Sequence, residues 1–316
     1  MMKIFDDVKN IPPFKNAVLT IGTFDGVHKG HQKIIAQLKE EAKKIGGETV
    51  IITFYPHPRQ VVNPNYKIEF LNDFKEKASL LEAAGVDNLV TVNFDETFAN
   101  ISAEEYIQDF LINTFHPQKI VIGYDHKFGK GRTGDFRLLE KAGADNGFEV
   151  TEISEQVLDQ VTISSTKIRK ALSDGNIILA NSQLGYIFNL SGKVVEGNKL
   201  GRTIGFPTAN IQLTSEEKII PLNGVYGVQV IVNQSIYNGM MNIGFRPTVN
   251  GKKRTIEVNI FDFDSDIYNE TIEVKLLDYI RPEVKFNGVD ALKEQLNKDK
   301  KEVISLIQKT LVTTTN

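Results

Sequence analysis

The apolar residues of this chain change their period once. Short apolar runs alternate with helical patterns through the first half, and strand-like runs follow one another after about residue 186. The early runs are Ala17 to Ile21, Val50 to Phe54, Leu89 to Phe94 and Lys119 to Ile122. Between the first two, Ile34, Leu38, Ala42 and Ile45 share one helical face, with Lys39, Glu40, Lys43 and Lys44 largely opposite. Residues 73–84 and Asp135 to Ala144 read as further helices, and Ser102 with Glu105 forms a capping box. This alternation predicts a doubly wound parallel sheet. Later come Val194-Val195, Val225 to Val232, Ile256 to Ile260 and Ile272 to Leu277. The steps Gly197-Asn198, Asn223-Gly224, Asn238-Gly239 and Asn250-Gly251 read as turns between them, predicting a small antiparallel β-barrel. A helix from about Val289 to Leu306 is expected to pack across the barrel, followed by a frayed Thr-Thr-Thr-Asn tail. The change of period falls at residues 183–188, so 1–185 and 186–316 are expected to be two domains.

The 316 residues suffice for two cores. Basic and acidic residues number 37 and 40, a net charge of −3, and no basic block occurs; neither a nucleic-acid nor a membrane surface is expected. The lack of cysteine excludes disulfides, zinc thiolates and thiol nucleophiles and fits a reducing compartment. The N-terminal residues lack a signal-peptide pattern, and no run reaches the roughly 18 apolar residues of a span. A cytoplasmic protein, monomeric or weakly homo-oligomeric, is the expectation.

The segment Gly22-Thr23-Phe24-Asp25-Gly26-Val27-His28-Lys29-Gly30-His31 stands at a strand-to-helix junction, where α/β sheets bind ligands. Free N–H groups at a helix start attract phosphate, and glycines let the backbone approach it. Two histidines around Gly30 can donate to one phosphate chain, stabilising charge on an α-phosphate and a leaving pyrophosphate. A pair of surface histidines is the plainer alternative; zinc lacks a third ligand. In Ile163-Ser164-Ser165-Thr166-Lys167-Ile168-Arg169 either serine can cap a helix, with Lys167 and Arg169 adding positive charge. Gly129-Lys130-Gly131-Arg132-Thr133-Gly134 matches a dinucleotide-binding pattern, but six residues intervene between the strand end near Ile122 and Gly129, too many for that role. His116 lies outside every such stretch and reads as structural.

In the second half, Gly197, Gly201 and Gly205 make a loop able to wrap phosphate, and Thr208 and Asn210 offer oxygens suited to Mg²⁺. No Walker A pattern occurs.

Together these stretches resemble the bacterial bifunctional riboflavin kinase/FAD synthetases, from about Asn16 to Asp299. Gly22 to His31 with Ile163 to Arg169 is similar to their FMN adenylyltransferase half, within the His-x-Gly-His nucleotidyltransferases. Thr53-Phe54-Tyr55-Pro56-His57-Pro58 and Gly123-Tyr124-Asp125-His126-Lys127-Phe128-Gly129 resemble its Pro-His-Pro and Gly-x-Asp-Phe-x-Phe-Gly loops, with His126 replacing the usual Phe. Gly205-Phe206-Pro207-Thr208-Ala209-Asn210 resembles the riboflavin kinase signature, as do Gly224-Val225-Tyr226-Gly227, Asn242 to Thr248, Ile256-Glu257-Val258 and Arg281-Pro282-Glu283; Glu196 to Lys199 departs from it. The resemblance implies that MgATP phosphorylates riboflavin and a second ATP adenylylates the FMN formed. It further implies catalysis by His28, His31 and Glu257, and nucleotide contacts from Gly22, Phe24, Asp25, Gly30, Ser164, Ser165, Thr166, Arg169, Gly201 and Gly205. Flavin contacts would come from Pro56, His57, Pro58, Asp125, Phe128, Asn210 and Arg281, and Mg²⁺ ligands from Thr208 and Asn210. Read without the resemblance, Glu257 is an outward polar residue on an alternating strand.

Overall fold

The structure, a computed structural model, describes residues 1–153, 163–197, 200–248 and 251–314. Asn198, Lys199, Asn250 and the last two tail residues lie outside the described residues. Two compact units divide the chain, Met1–Ser165 and Thr166–Asn316.

In the first unit six strands form one sheet: β1 (Lys3–Phe5), β2 (Val18–Ile21), β3 (Thr49–Tyr55), β4 (Asn88–Asn93), β5 (Lys119–Gly123) and β6 (Glu149–Ile153). Their order is β1-β4-β3-β2-β5-β6 and every pairing is parallel. Strand order reverses between β2 and β5, so the loops leaving these two strands flank the switch point of the sheet. All four residues of β2 are buried. Leu19 and Ile21 enter one hydrophobic layer with Val50, Ile52 and Ile120, while Val18 enters the other with Ile51, Leu89 and Val121. Two-sided burial explains why these strands read as continuous apolar runs.

Helix Lys29–Ile45 buries Ile35, Leu38 and Ala42. Ile45, expected on that face, is 41% exposed, because Gly46 ends the helix in the left-handed conformation just beyond it. Glu41 shares the buried face and binds Lys119 at 2.7 Å; hydrogen bonds from Lys119 and Lys44 hold its carboxyl down at about 2. The remaining expected elements appear as Phe74–Ala83, capped by Asp73, Phe136–Asn146, capped by Asp135, and a helical stretch opening on the Ser102–Glu105 capping box. His116 is exposed at φ 47° and ends the helical turn Asn113–Phe115. Gly129 and Gly134 serve packing: a Cβ at Gly129 would lie 2.7 Å from the Ala103 Cα, and one at Gly134 would strike the Phe128 ring.

In the second unit, helices Ser165–Ser173 and Ile177–Leu184 precede a closed barrel. Its strands are β7 (Asn189–Val195), β8 (Ala209–Leu213), β9 (Gly224–Val232), β10 (Ser235–Thr248), β11 (Gly251–Ile260) and β12 (Thr271–Arg281), ordered β10-β11-β8-β7-β12-β9, all antiparallel. Asn238-Gly239, expected as a turn, lies inside β10. The β9–β10 turn is Asn233-Gln234, both at positive φ. Gly239 lacks a side chain for another reason: a Cβ there would lie 2.7 Å from the Asn259 carbonyl oxygen across the ladder.

The last helix runs Val289–Thr314, past the expected end at Leu306, so the first two threonines of the tail are helical rather than frayed. Val303, Ile307, Leu292 and Leu296 pack with Phe206, Met240 and Phe261. Asp299 anchors it: this fully buried carboxylate takes two hydrogen bonds from Arg281, at 2.8 and 2.7 Å, and one from Gln295. Asp299→Ala leaves that guanidinium without its main partner and should destabilise the second unit by about 3 kcal/mol. Urea unfolding followed by circular dichroism measures it; a loss below about 1 kcal/mol would reduce the pair to the worth of an exposed one.

Candidate active sites

The loop between β2 and helix Lys29–Ile45 is tightly wound. Phe24 and Val27 take positive φ, 49° and 35°, which costs a branched or bulky residue about 1–3 kcal/mol. Buried and half-buried contacts hold it. Asp25, 2% exposed, accepts the Leu71 N–H at 2.9 Å; Ser165 Oγ donates to the Asp25 carbonyl at 2.9 Å; Lys77 Nζ donates to the Thr23 carbonyl at 3.1 Å. Burial lowers the Lys77 amine and the Asp25 charge opposes that shift. Phe24 is buried in the core, so its side chain, like that of Asp25, supports the loop from within.

His28 caps the helix that follows. Its Nδ1 accepts the His31 N–H at 3.3 Å, which leaves the proton of the neutral ring on Nε2. The two imidazoles stack with centroids 3.7 Å apart and 14° between planes, and Phe24 lies 5.0 Å from the His31 ring. The two rings thus converge at the helix mouth. Gly30 permits this, because a Cβ there would sit 3.1 Å from His28 Nδ1 and Cε1. Burial, then the His28 and Lys77 charges, push His31 well below its ordinary value. His31 Nδ1 is buried without a hydrogen-bond partner among the described residues. Helix Ser165–Ser173 starts directly after Ser164, with Thr166 and Arg169 in its first turns.

The 123–134 loop after β5 borders a cavity of about 470 Å³. Phe54, Phe94, Phe98, Tyr106, His126 and Phe128 form much of its wall, and Pro58 joins them. Tyr106 stacks on Phe128 at 4.9 Å. Pro56, His57 and Asp125 do not line this cavity. His57 caps the short helix Pro58–Val62, its Nδ1 accepting the Arg59 N–H at 3.1 Å. Phe94, Phe98 and Tyr106 went unread in the sequence, although aromatic density over residues 94–106 was the available signal.

In the barrel the strand register builds one lateral row. Asn210 of β8 faces Glu257 of β11, Glu257 faces Asn242 of β10, Asn242 faces Val225 of β9, and Val225 faces Arg281 of β12. Directly opposed residues share a sheet face, and all five line one cavity of about 400 Å³ with Gly201, Thr208 and Glu283. Asn242 Nδ2 donates to Glu283 Oε1 at 3.3 Å. A second cavity of about 560 Å³ is lined by Arg202, Pro207, Thr208, Phe263 and Tyr268, so Thr208 borders both. Asn259 Nδ2 donates to the Pro207 carbonyl at 2.6 Å and fastens the Thr208 segment to the barrel. Gly197 makes room for the Asn210 carboxamide, which a Cβ there would strike, and a Cβ at Gly201 would lie 3.6 Å from Thr208 Oγ1. Gly205 takes φ 83°, so the backbone angle rather than a close neighbour calls for glycine there. Asn242 and Asn259 were missed because polar residues on alternating strands look solvent-facing until register assigns the faces.

A protein-family model described as FAD synthetase matches residues 11–167, and one described as riboflavin kinase matches 184–307. The bifunctional riboflavin kinase/FMN adenylyltransferase of Escherichia coli K12 is 40% identical over 301 residues, covering 94% of this chain and 96% of its own. The protein of that description from Listeria monocytogenes is 40% identical over 296 residues, covering 93% of each. A crystal structure described as a macrolide-efflux protein from Streptococcus pneumoniae superposes with TM-score 0.83 at 34% identity, covering 95% of this chain and 97% of the other. Among the described residues no helix of this chain is long and apolar enough to cross a membrane.

Two imidazoles give the first unit a pH signature. Burial takes His126 down to about 4 and His31 well below 6.5. Above pH 6.5 both rings are neutral whether the chain is folded or not. Below it the unfolded chain binds protons that the folded chain refuses, so stability is lost as pH falls toward 4. The first unit's Tm should drop over that window in thermal melts, and His31→Asn with His126→Phe should flatten the drop. An unchanged slope in the double variant would contradict this assignment.

Proposed function

The chain belongs to the family of bifunctional riboflavin kinases/FMN adenylyltransferases, and from that premise we propose how its two sites divide the work. It is an enzyme of flavin-cofactor synthesis, a riboflavin kinase and an FMN adenylyltransferase. Residues 1–185 carry adenylyl transfer and 186–316 the kinase, working in the cytoplasm as a monomer or weak homo-oligomer on small molecules rather than on nucleic acid or membrane.

Thr208 carries the kinase reading, because among the described residues it borders both barrel cavities, one of which holds the Asn210–Glu257 row. Riboflavin occupies the cavity beside Glu257, lined by Asn210 and Arg281. ATP occupies the cavity walled by Phe263 and Tyr268, and its phosphates reach Thr208 past the Gly201–Gly205 segment. The flavin 5′-hydroxyl oxygen bonds to the γ-phosphorus as the bond to ADP breaks, and Glu257 takes the hydroxyl proton. The side-chain oxygens of Thr208 and Asn210 suit a hard cation that also binds phosphate. Thr208 and Asn210 would hold Mg²⁺, which would supply charge neutralisation on the ATP phosphates.

In the first unit the aromatic cavity takes the flavin ring of FMN between Pro58 and Phe128, with Pro56, His57 and Asp125 bordering the same loops. The Gly22–Gly30 segment, with Phe24 and Asp25 supporting it, holds a second ATP. An FMN phosphate oxygen bonds to the α-phosphorus and pyrophosphate leaves. His28 and His31 stabilise the charge formed, and Ser164, Ser165, Thr166 and Arg169 receive the pyrophosphate.

Incubation with riboflavin and MgATP, with flavins resolved by chromatography, tests both halves. His31→Ala should accumulate FMN and slow FAD formation by about 10²–10³-fold. Glu257→Gln should slow FMN formation by about 10²–10⁴-fold yet convert supplied FMN to FAD at the unmodified rate. Loss of both activities from each single substitution in folded protein would contradict the two-site reading.

A further inference from the structure

The aromatic cavity of the first unit is walled mainly by carbon, yet one wall residue is an imidazole. His126 lies beside Phe128, ring centroids 5.9 Å apart and 33° between planes. Its Nε2 is buried and has no hydrogen-bond partner among the described residues. Buried polar nitrogens are nearly always paired, so an orphan in a ligand-sized cavity calls for an explanation. Two other polar wall residues are already engaged: Lys127 pairs with Asp135 at 3.3 Å, and Arg59 lies 6.0 Å over the Tyr66 ring. Burial, aided by the Arg132 charge, keeps the His126 ring neutral near pH 7 against the Asp125 charge, which favours protonation. A neutral imidazole offers one N–H donor and one nitrogen acceptor.

An oxidised flavin ring carries its one N–H donor on a single edge. Its benzenoid end carries methyl groups and suits the phenylalanine wall, whereas its pyrimidine edge presents an N3–H donor between two carbonyl acceptors. We propose that His126 is the hydrogen-bond partner of the flavin pyrimidine edge in this cavity, and that it selects for rings carrying that edge. The inference rests on the reading that this cavity holds the flavin ring. An imidazole partner gains over a phenyl ring because an edge desolvated without a partner is disfavoured, while a paired one is not. Simple stacking of the His126 ring on the flavin is the rival role, and it makes a different prediction.

The test compares FMN with N3-methyl-FMN as substrates for FAD formation. Methylation removes the edge donor and leaves the stacking faces intact. The unmodified enzyme should show a KM about tenfold higher for the methylated flavin. His126→Phe should raise the KM for FMN by about tenfold with kcat within about twofold, and methylation should then add nothing further. His126→Asn, which restores a donor and an acceptor, should recover FMN binding to within about threefold. Equal KM values for the two flavins in the unmodified enzyme would overturn the proposal, and that measurement needs no variant to fold. So would a methyl penalty of equal size in the unmodified enzyme and in His126→Phe, the outcome stacking predicts. Phe128→Ala separates this failure from failure of the cavity reading. If it leaves both KM values unchanged, the ring does not bind here and both ideas fall; if it raises both alike, only the role of His126 is at issue.

Discussion

The kinase site depends on the register of one strand. β11 pairs with β10 without a break from Gly239↔Ile260 to Thr248↔Gly251, and its Glu257 meets Asn210 on β8. Side chains alternate faces at every residue, so a slip of one position would exchange Glu257 for Val258. Val258 lines the other cavity, the one walled by Phe263 and Tyr268. A slip would therefore place an apolar side chain where Glu257 is proposed to act as base and a carboxylate where an anionic nucleotide is proposed to bind. The close approach at Gly239 and the Asn259 hydrogen bond to Pro207 both fix this register. Neither residue touches Glu257 through its side chain, yet each decides where Glu257 points.

The first unit solves the corresponding problem with strain instead of register. Its strand β2 is buried on both faces and stops at the switch point of the sheet. The chain must then turn within a few residues to start a helix whose first N–H groups face the same opening. Phe24 and Val27 accept unfavourable backbone angles to make that turn, and buried contacts from Asp25, Lys77 and Ser165 offset the cost. Asp25 anchors the turn through the Leu71 N–H. This also explains why a motif of ten residues can be so specific: several of its side chains are fixed by the turn before any substrate is considered.

Much of this was legible in the sequence, and the gaps have physical causes. The two periods, 3.6 and 2, announced a parallel sheet followed by a barrel, because two-sided burial and alternation leave different traces. The capping box at Ser102 was readable, since capping is local chemistry, and the helices that Asp73 and Asp135 cap were placed without their caps. Asn238-Gly239 misled, because a glycine demanded by a neighbouring strand looks the same as one demanded by a turn. Strands β1, β6 and β8 were invisible, each having five residues or fewer and none being buried throughout, and β10 was hidden by the turn read at Asn238-Gly239 inside it. Ile45 was misplaced for want of a known helix end. The lateral row from Asn210 to Arg281 joins residues far apart in the chain, and only pairing could reveal it.

The two candidate sites hold different chemical groups because the two reactions make different demands on protons. A riboflavin hydroxyl must lose a proton to become a nucleophile, so its site needs a base. Glu257 stands between two carboxamides, Asn210 and Asn242, which can orient a carboxylate without neutralising it. FMN already carries an ionised phosphate, so its attack on a second ATP releases no proton at the start. That site needs donors that stabilise charge on oxygen and do not capture the substrate phosphate too strongly. Neutral imidazoles meet that requirement better than lysines or arginines would, and burial keeps His31 uncharged. Stacking at 3.7 Å serves the same end, because two positive rings could not share that spacing. A carboxylate beside carboxamides in one unit and a buried, uncharged His31 in the other are what the two proposed roles call for.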